Sequence, residues 1–438
     1  MRRPGGLTWA HALGRPLPFW TYPAMAVLTG LAAFARSRSL LSAPYAQWDI
    51  TSELWHEGLF PVLAVIAGMA TLVVTQVFRR NSVLAGAVRA SGANRALATF
   101  VFWISAWVVL GLLAGLLPAM WKSARTATWG GLDVRDVLVA VCGVIVAVSL
   151  GVGLGAVLRH WVAALLTAVG YGTLMICAMS EAGAPLRLLQ PSQHPVFPTP
   201  EFSLPWGLVL FQMTFGLVAC VTAVAGGAWF LAHRRGSPLT SGVALTALLA
   251  LAVTAWAWKP MTRVARPPVE ASCAASPQVC VHPAHDKSLP TAVAVTETLR
   301  SVGGSRLFGR TYDDALFTSD AARAGALVFR VDVRPTHGMV TKTLEDAIAL
   351  DLIEGALPLC GRVDGTLPIS AQVTNLTAFE IARRSGISAL LEVVHEPQVD
   401  DPSLRTRMTS MPTDELIRFV DDNLPALRTC SAGAPEAS

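Results

Sequence analysis

The sequence predicts a polytopic α-helical membrane protein, with about seven transmembrane helices, followed by a mixed α/β, mainly helical, extracytoplasmic domain. Three observations carry this expectation. The 438-residue chain is 53% hydrophobic and only 14% charged, against roughly 25% charged in an ordinary soluble domain. Its first part holds long apolar runs without a single Lys, Arg, Asp or Glu. The charge is also divided: residues 1–258 carry 16 basic and 7 acidic residues, and residues 259–438 carry 18 and 22. The pI near 9.0 therefore reflects the basic loops of the apolar part and gives no reason to expect nucleic acid.

Crossing the hydrocarbon core takes about 20 apolar residues in a helix. Seven runs qualify: Phe19–Ala35, Leu59–Phe78, Leu97–Met120, Val137–Leu158, Trp161–Met179, Trp206–Ala232 and Val243–Trp258. All thirteen tryptophans lie in residues 1–258, and Trp20, Trp121, Trp161, Trp206, Trp256 and Trp258 sit at run ends. That is the interfacial belt of rings that are apolar at one side and polar at the other.

Loop charge sets the orientation. With a cytoplasmic N-terminus, the inner segments hold ten basic residues and no acidic one, and the outer segments hold six basic and all seven acidic residues. The positive-inside rule selects this arrangement, a multi-pass protein of the plasma membrane. An odd number of spans then exports residues 259–438. The alternative makes the first run a cleaved signal peptide, with Arg2 and Arg3 before it and Ala33-Phe34-Ala35 as the cleavage site. It leaves the C-terminal domain on the same side.

Between the spans, the inner segment Arg79–Arg95 (RRNSVLAGAVRASGANR) is basic and helix-prone. It reads either as a loop on anionic lipid or as a helix that meets a cytoplasmic partner. The first outer loop, Ser37–Gly58, has Trp48 and Trp55 seven apart and reads as a short amphipathic helix on the membrane surface. The loop from Glu181 to Pro205 contains six prolines, which exclude regular helix. Gly111–Gly115 and Gly151–Gly155 are GxxxG patterns that permit close helix approach.

A linker, residues 259–270, precedes the exported domain at 271–438. Leu289–Val302, Thr341–Glu354, Ala371–Arg384 and Pro412–Leu427 read as helices. Ala326–Val333 and Leu390–Val394 read as strands. Cys142, Cys177 and Cys220 lie in spans and act as small apolar residues. The other four, Cys273, Cys280, Cys360 and Cys430, fall in the exported domain, where an oxidising compartment turns an even count into two disulfides. Of the three pairings that four cysteines allow, Cys273–Cys280 with Cys360–Cys430 is the one favoured here.

Chemistry is sparse. The seven runs lack ionisable residues, which argues against proton- or ion-coupled transport and intramembrane hydrolysis. No P-loop motif occurs, so any ATP is hydrolysed by another polypeptide. The cluster Cys273-x6-Cys280-x-His282-x2-His285-Asp286 has the residue types of a zinc or copper site. Its competing reading is a disulfide loop with two exposed histidines. His395-Glu396-Pro397 lacks the second histidine of a zinc protease motif, and Asp313-Asp314 and Asp400-Asp401 read as solvated turns. Asn375-Leu-Thr377 is a formal glycosylation sequon on a helix. No cofactor, no metal and no enzyme activity are expected.

The layout of spans around Arg79–Arg95 resembles the permease subunits of type-two ABC exporters. The residues that carry the likeness are Arg79-Arg80 and Ser91-Gly92-Ala93-Asn94-Arg95, between the second and third spans, and it covers about residues 1–236. The resemblance implies that Arg79, Arg80, Arg89 and Arg95 belong to a coupling segment seated on a cytoplasmic ABC ATPase subunit. It also implies a homo- or heterodimer of permease subunits. The seventh span and the exported domain depart from that family. The Ala- and Arg-rich composition and the Cys280-Val281-His282-Pro283 stretch look like actinobacterial membrane proteins with an extracytoplasmic tail. The expected function is thus a permease-like subunit, energised by a separate ATPase, whose exported domain binds cargo or a partner. The alternative is a membrane-anchored extracytoplasmic binding or sensory protein. A third reading, an extracytoplasmic metalloprotein or hydrolase, rests only on the Cys/His cluster.

Overall fold

The computed structural model describes residues 20–60, 62–78, 90–179, 186, 200, 202–231, 264–316, 326–331, 343–358, 360, 368–387 and 401–433. Among the described residues, seven helices come first: α1 (Thr21–Ser42), α2 (Trp48–Glu57), α3 (Val62–Val77), α4 (Ala90–Thr126), α5 (Val134–Leu158), α6 (Val162–Met179) and α7 (Trp206–Leu231). Among the described residues, five segments are long and apolar enough to cross a membrane: Trp48–Val77, Gly92–Thr126, Val134–Leu158, Val162–Met179 and Trp206–Leu231. The last four match expected spans, and the first contains the expected run Leu59–Phe78 as α3. The first expected span lies largely within α1, whose later turns carry Arg36 and Arg38 and which is not among the five. The run Val243–Trp258 lies outside the described residues, as do Leu390–Val394, His395-Glu396 and most of Glu181–Pro205.

The second expected span, Leu59–Phe78, is met by α3, and the short helix expected in Ser37–Gly58 is α2. That helix was expected to lie on the outer surface. Instead α2 and α3 together run beside α5 in one register. Ser52 Oγ accepts from Asp133 N, His56 faces Asp136, and the Thr71 and Thr75 hydroxyls donate to the Gly151 and Gly155 carbonyls. The partners stay about eighty residues apart in sequence along the whole length. Every residue from Ile50 to His56 is buried. Trp55 is enclosed by this packing, while Trp48, Asp49 and Glu57 at the helix ends are partly exposed.

Helix contacts are made by small residues. A Cβ on Gly155 would lie 2.6 Å from the Thr71 carbonyl oxygen, and one on Gly153 would lie 2.6 Å from that of Ala223 on α7. Gly151 meets Ala67 in the same way. So α5 is central, with α3 against Gly151–Gly155 and α7 against Gly153. The other GxxxG pair, Gly111 and Gly115 on α4, faces Ala26, Gly30 and Ala33 of α1. In hydrocarbon the close approach of backbones, not apolar burial, holds helices together, and small residues allow it. Arg135 and Arg159 clip the two ends of α5 to α7, donating to the carbonyls of Leu204 and Phe230 at 2.7 and 2.9 Å. Lys122 donates to the carbonyls of Leu40, Leu41 and Ala43 at the end of α1, where the helix dipole favours a cation. Large apolar side chains such as Leu117, Leu166 and Leu217 point outward, more than half exposed. That is the polarity expected of a surface covered by hydrocarbon.

The C-terminal region has a separate hydrophobic core. Strands β1 (Phe202–Ser203) and β2 (Val264–Ala265) pair antiparallel beside the start of α7. A four-stranded sheet follows, in the order β3 (Ser272–Ala274), β4 (Gln278–Val281), β5 (Arg310–Asp313), β6 (Ala326–Phe329). The β3–β4 pair is antiparallel and the other two are parallel. Helix α8 (Leu289–Gly303) connects β4 to β5, as a parallel pair requires. Then come α9 (Leu344–Ala356), α10 (Ile369–Ser385), α11 (Pro402–Ser410) and α12 (Thr413–Arg428). Helix α9 starts at a capping box formed by Thr343 and Asp346, and α8 starts with Pro290 in its first turn, positions where free backbone N–H groups are otherwise left over. Phe308, Phe329, Leu299 and Leu352 are fully buried together. The four expected helices are present within a few residues. Five short strands, β1 to β5, and α11 were not expected.

Candidate functional site

The four cysteines pair as expected: Cys273 with Cys280 and Cys360 with Cys430. The first pair joins residues directly opposite each other on β3 and β4. The second ties the chain after α9 to the end of α12. Asn375 holds Cys360 through two hydrogen bonds, accepting from its N at 2.9 Å and donating to its O at 3.2 Å. Its amide is thus used internally, which weakens the sequon reading. Arg95 lies exposed in the early turns of α4, while Arg79, Arg80 and Arg89 are outside the described residues.

The polar side chains that converge do so where the C-terminal region meets one end of the bundle. From the C-terminal region come His282 and the 3-10 turn Pro283–Ser288, which follow β4 directly. From the bundle come Tyr45, the start of α2, and the α4–α5 connection at Thr126–Trp129. Lys287 Nζ donates to the Thr126 carbonyl at 2.6 Å, at the negative end of the α4 dipole. Thr128 Oγ1 donates to the Pro283 carbonyl at 2.7 Å. The Trp129 ring packs edge-on against His282 at 4.7 Å, with the Arg266 guanidinium 5.1 Å from the same ring.

Asp313 organises the turn. It is fully buried, which overturns its reading as a solvated turn residue. The local sequence places it at the end of β5, and the pairing of β5 with β4 brings it under His282. Its Oδ2 accepts from His282 N at 3.0 Å and contacts His285 Nδ1, and its Oδ1 accepts from Ala315 N at 3.1 Å. A buried carboxylate with this many donors is fixed in place. His282 and His285 are buried too, not exposed. His282 Nδ1 accepts from Ala284 N at 3.1 Å and caps the turn. Burial, with the neighbouring His285, pulls the His282 imidazole down to about 4, so the ring is neutral and free to accept that bond.

The Cys/His cluster has no thiolate to offer a metal. Cys273 and Cys280 are consumed by each other, and among the described residues no three His, Cys, Asp or Glu are placed to hold a metal ion. The His285–Asp313 contact has the form of an oriented imidazole, but the nearby Ser288 hydroxyl donates to the His285 carbonyl at 2.6 Å. It is spent on backbone rather than activated as a nucleophile. What the geometry provides is a polar clamp. The clamp residues Tyr45, Trp129 and Asp313 were not singled out by the sequence as a group, since no local spacing links positions so far apart. Comparison with protein-family models, with curated proteins and with solved structures finds no match.

Proposed function

We propose that the chain is a membrane-spanning, permease-like subunit of an ABC-type transporter. In this reading a separate cytoplasmic ATPase subunit energises it, it pairs with a second permease subunit, and its exported C-terminal region binds cargo or a partner. The observation that supports this most is α4. It runs unbroken from Ala90, inside the candidate coupling segment, to Thr126, whose carbonyl receives Lys287. Thirty-seven residues at about 1.5 Å each make a strut of about 55 Å. Force applied at one end of the bundle reaches the clamp at the other through one helix.

The chain path supports an exported C-terminal region. Arg135 and Arg159 hold α5 parallel to α7, and β2 pairs beside the start of α7. The chain leaves α7 at one end and resumes at the other, and the stretch between includes the apolar run Val243–Trp258. With the basic inner loops, this favours a seventh crossing, a cytoplasmic N-terminus and an outer clamp.

The test is co-purification of the intact chain from its native membrane, comparing wild type with Arg89→Glu at equal expression. A docked ATPase held by arginine–carboxylate pairs loses roughly 2–5 kcal/mol when one partner is reversed, so recovery of a P-loop polypeptide should fall at least tenfold. If no such polypeptide is recovered with the wild type, or recovery is equal, the transporter reading falls and the anchored binding protein takes its place.

A further inference from the structure

The outward faces of α1 and α4 carry two stripes that change character toward one end. On α1, Leu31, Phe34 and Arg38 are spaced i, i+3, i+7. On α4, Leu117, Trp121 and Arg125 are spaced i, i+4, i+8. Both spacings align side chains along one face of a helix. All six residues are exposed, Phe34 by 41% and Trp121 by 60%. Each stripe is therefore apolar along the bundle and basic where its helix nears the C-terminal end.

The packing of α1 on α4 brings the stripes together. Gly111 lies against Ala26, Gly115 lies against Gly30 and Ala33, and Lys122 donates to the Leu40 carbonyl. Partners advance together along both helices, so the pair is parallel and Arg38 stands level with Trp121. Successive residues turn by about 100°. Measured from these contacts, Phe34 and Arg38 fall on the same side of the pair as Trp121 and Arg125. Arg36 falls on the other side of α1, about 200° around from Arg38.

The charges at the end of this seam are unanswered. Among the described residues, no carboxylate forms an ion pair with Arg38 or Arg125. Lys122 is spent on the α1 carbonyls. The Arg125 guanidinium lies 4.3 Å from the centre of the Trp121 ring. The ring covers one face of the guanidinium plane and leaves its N–H edge for an acceptor. Two guanidinium groups above two apolar stripes match a molecule with an anionic head and an apolar tail. A free anion would meet the arginines alone and gain nothing from Leu31, Phe34 and Leu117.

We propose that the α1–α4 seam binds an anionic phospholipid, with its phosphate held by Arg38 and Arg125 and its acyl chains laid along Leu31, Phe34 and Leu117. A general interfacial belt anchors a protein at every helix face, whereas this site is confined to one side of one helix pair. The site needs the bundle to lie in a membrane. It does not depend on the ATPase reading or on which side of the membrane this end faces.

The experiment is native mass spectrometry of the intact chain, released from nanodiscs of equimolar phosphatidylglycerol and phosphatidylcholine with matched acyl chains. An arginine near an anionic headgroup strengthens binding about fivefold. The wild type should therefore retain phosphatidylglycerol over phosphatidylcholine by at least about fivefold. Arg38→Gln and Arg125→Gln should each lower that preference about fivefold, and Arg36→Gln should leave it unchanged. Equal retention of the two lipids by the wild type overturns the proposal, because a plain interfacial belt predicts it. A loss in Arg36→Gln as large as in Arg38→Gln and Arg125→Gln overturns it too, and so does an unchanged preference in both of those variants. If one variant fails to fold, the other and the wild-type preference still decide.

Discussion

The seam between α3 and α5 can be tested at Gly155. An alanine there would place its Cβ 2.6 Å from the Thr71 oxygen and 3.1 Å from the Thr71 Cα. Both are backbone atoms, so no flexible side chain can yield, and the helices must part by close to 1 Å to reach ordinary contact at 3.4 Å. The Thr75 hydroxyl bond to Gly155 O, already 3.4 Å long, would be lost, and the Thr71 bond to Gly151 O at 2.9 Å would lengthen. Forcing a methyl into a packed interface costs about 1–3 kcal/mol. An interhelical hydrogen bond in a membrane adds about 0.6 kcal/mol on average. The better helix propensity of alanine returns up to about 1 kcal/mol. Gly155→Ala should therefore lose about 1–3 kcal/mol. Gly170→Ala is the control, because a Cβ there meets nothing within 4 Å, and it should be neutral or stabilising. Thermal unfolding of the purified intact chain in one detergent reads both. If Gly155→Ala is as stable as Gly170→Ala, the seam is not the contact described and the register of α2–α3 against α5 falls with it.

Alkylation without reductant, followed by mass analysis, should find no free thiol at Cys273, Cys280, Cys360 or Cys430. The loop entropy of the Cys360–Cys430 bridge, 70 residues apart, is worth about 4 kcal/mol, and that of Cys273–Cys280, 7 apart, about 2 kcal/mol. Cys360→Ser should therefore lower the unfolding temperature more than Cys273→Ser. His282 is held well below the ordinary histidine value of about 6.5, so the unfolded chain binds a proton first as pH falls. The stability it contributes is present above pH 6.5 and declines through about pH 4, by about 3 kcal/mol. His282→Asn, which keeps an N-cap acceptor, should remove that decline when unfolding is compared at pH 7 and pH 4. A C-terminal reporter that works only outside the cytoplasm should be active, and activity of a cytoplasm-only reporter would reverse the orientation.

Local pattern determined much of this protein. The segments apolar enough to cross a membrane were legible, α3 within Leu59–Phe78 included, because hydrocarbon demands long uncharged runs, wherever their neighbours lie. Helices α8, α9, α10 and α12 were legible from caps and periodicity, and the cysteine pairing was among the few that four residues allow. The sequence could not place Trp48–Glu57, because two tryptophans with interleaved acids describe a surface helix and a buried one equally well. Only the register of α2 and α3 against α5 decides between them. Asp313 and His285 likewise read as solvated residues until the pairing of β5 with β4 buried them, and Trp129 joined them from the far side of the chain. Burial of a polar side chain depends on what packs over it, and those atoms come from distant sequence. Tertiary structure alone therefore decided which charges are solvated and which are enclosed.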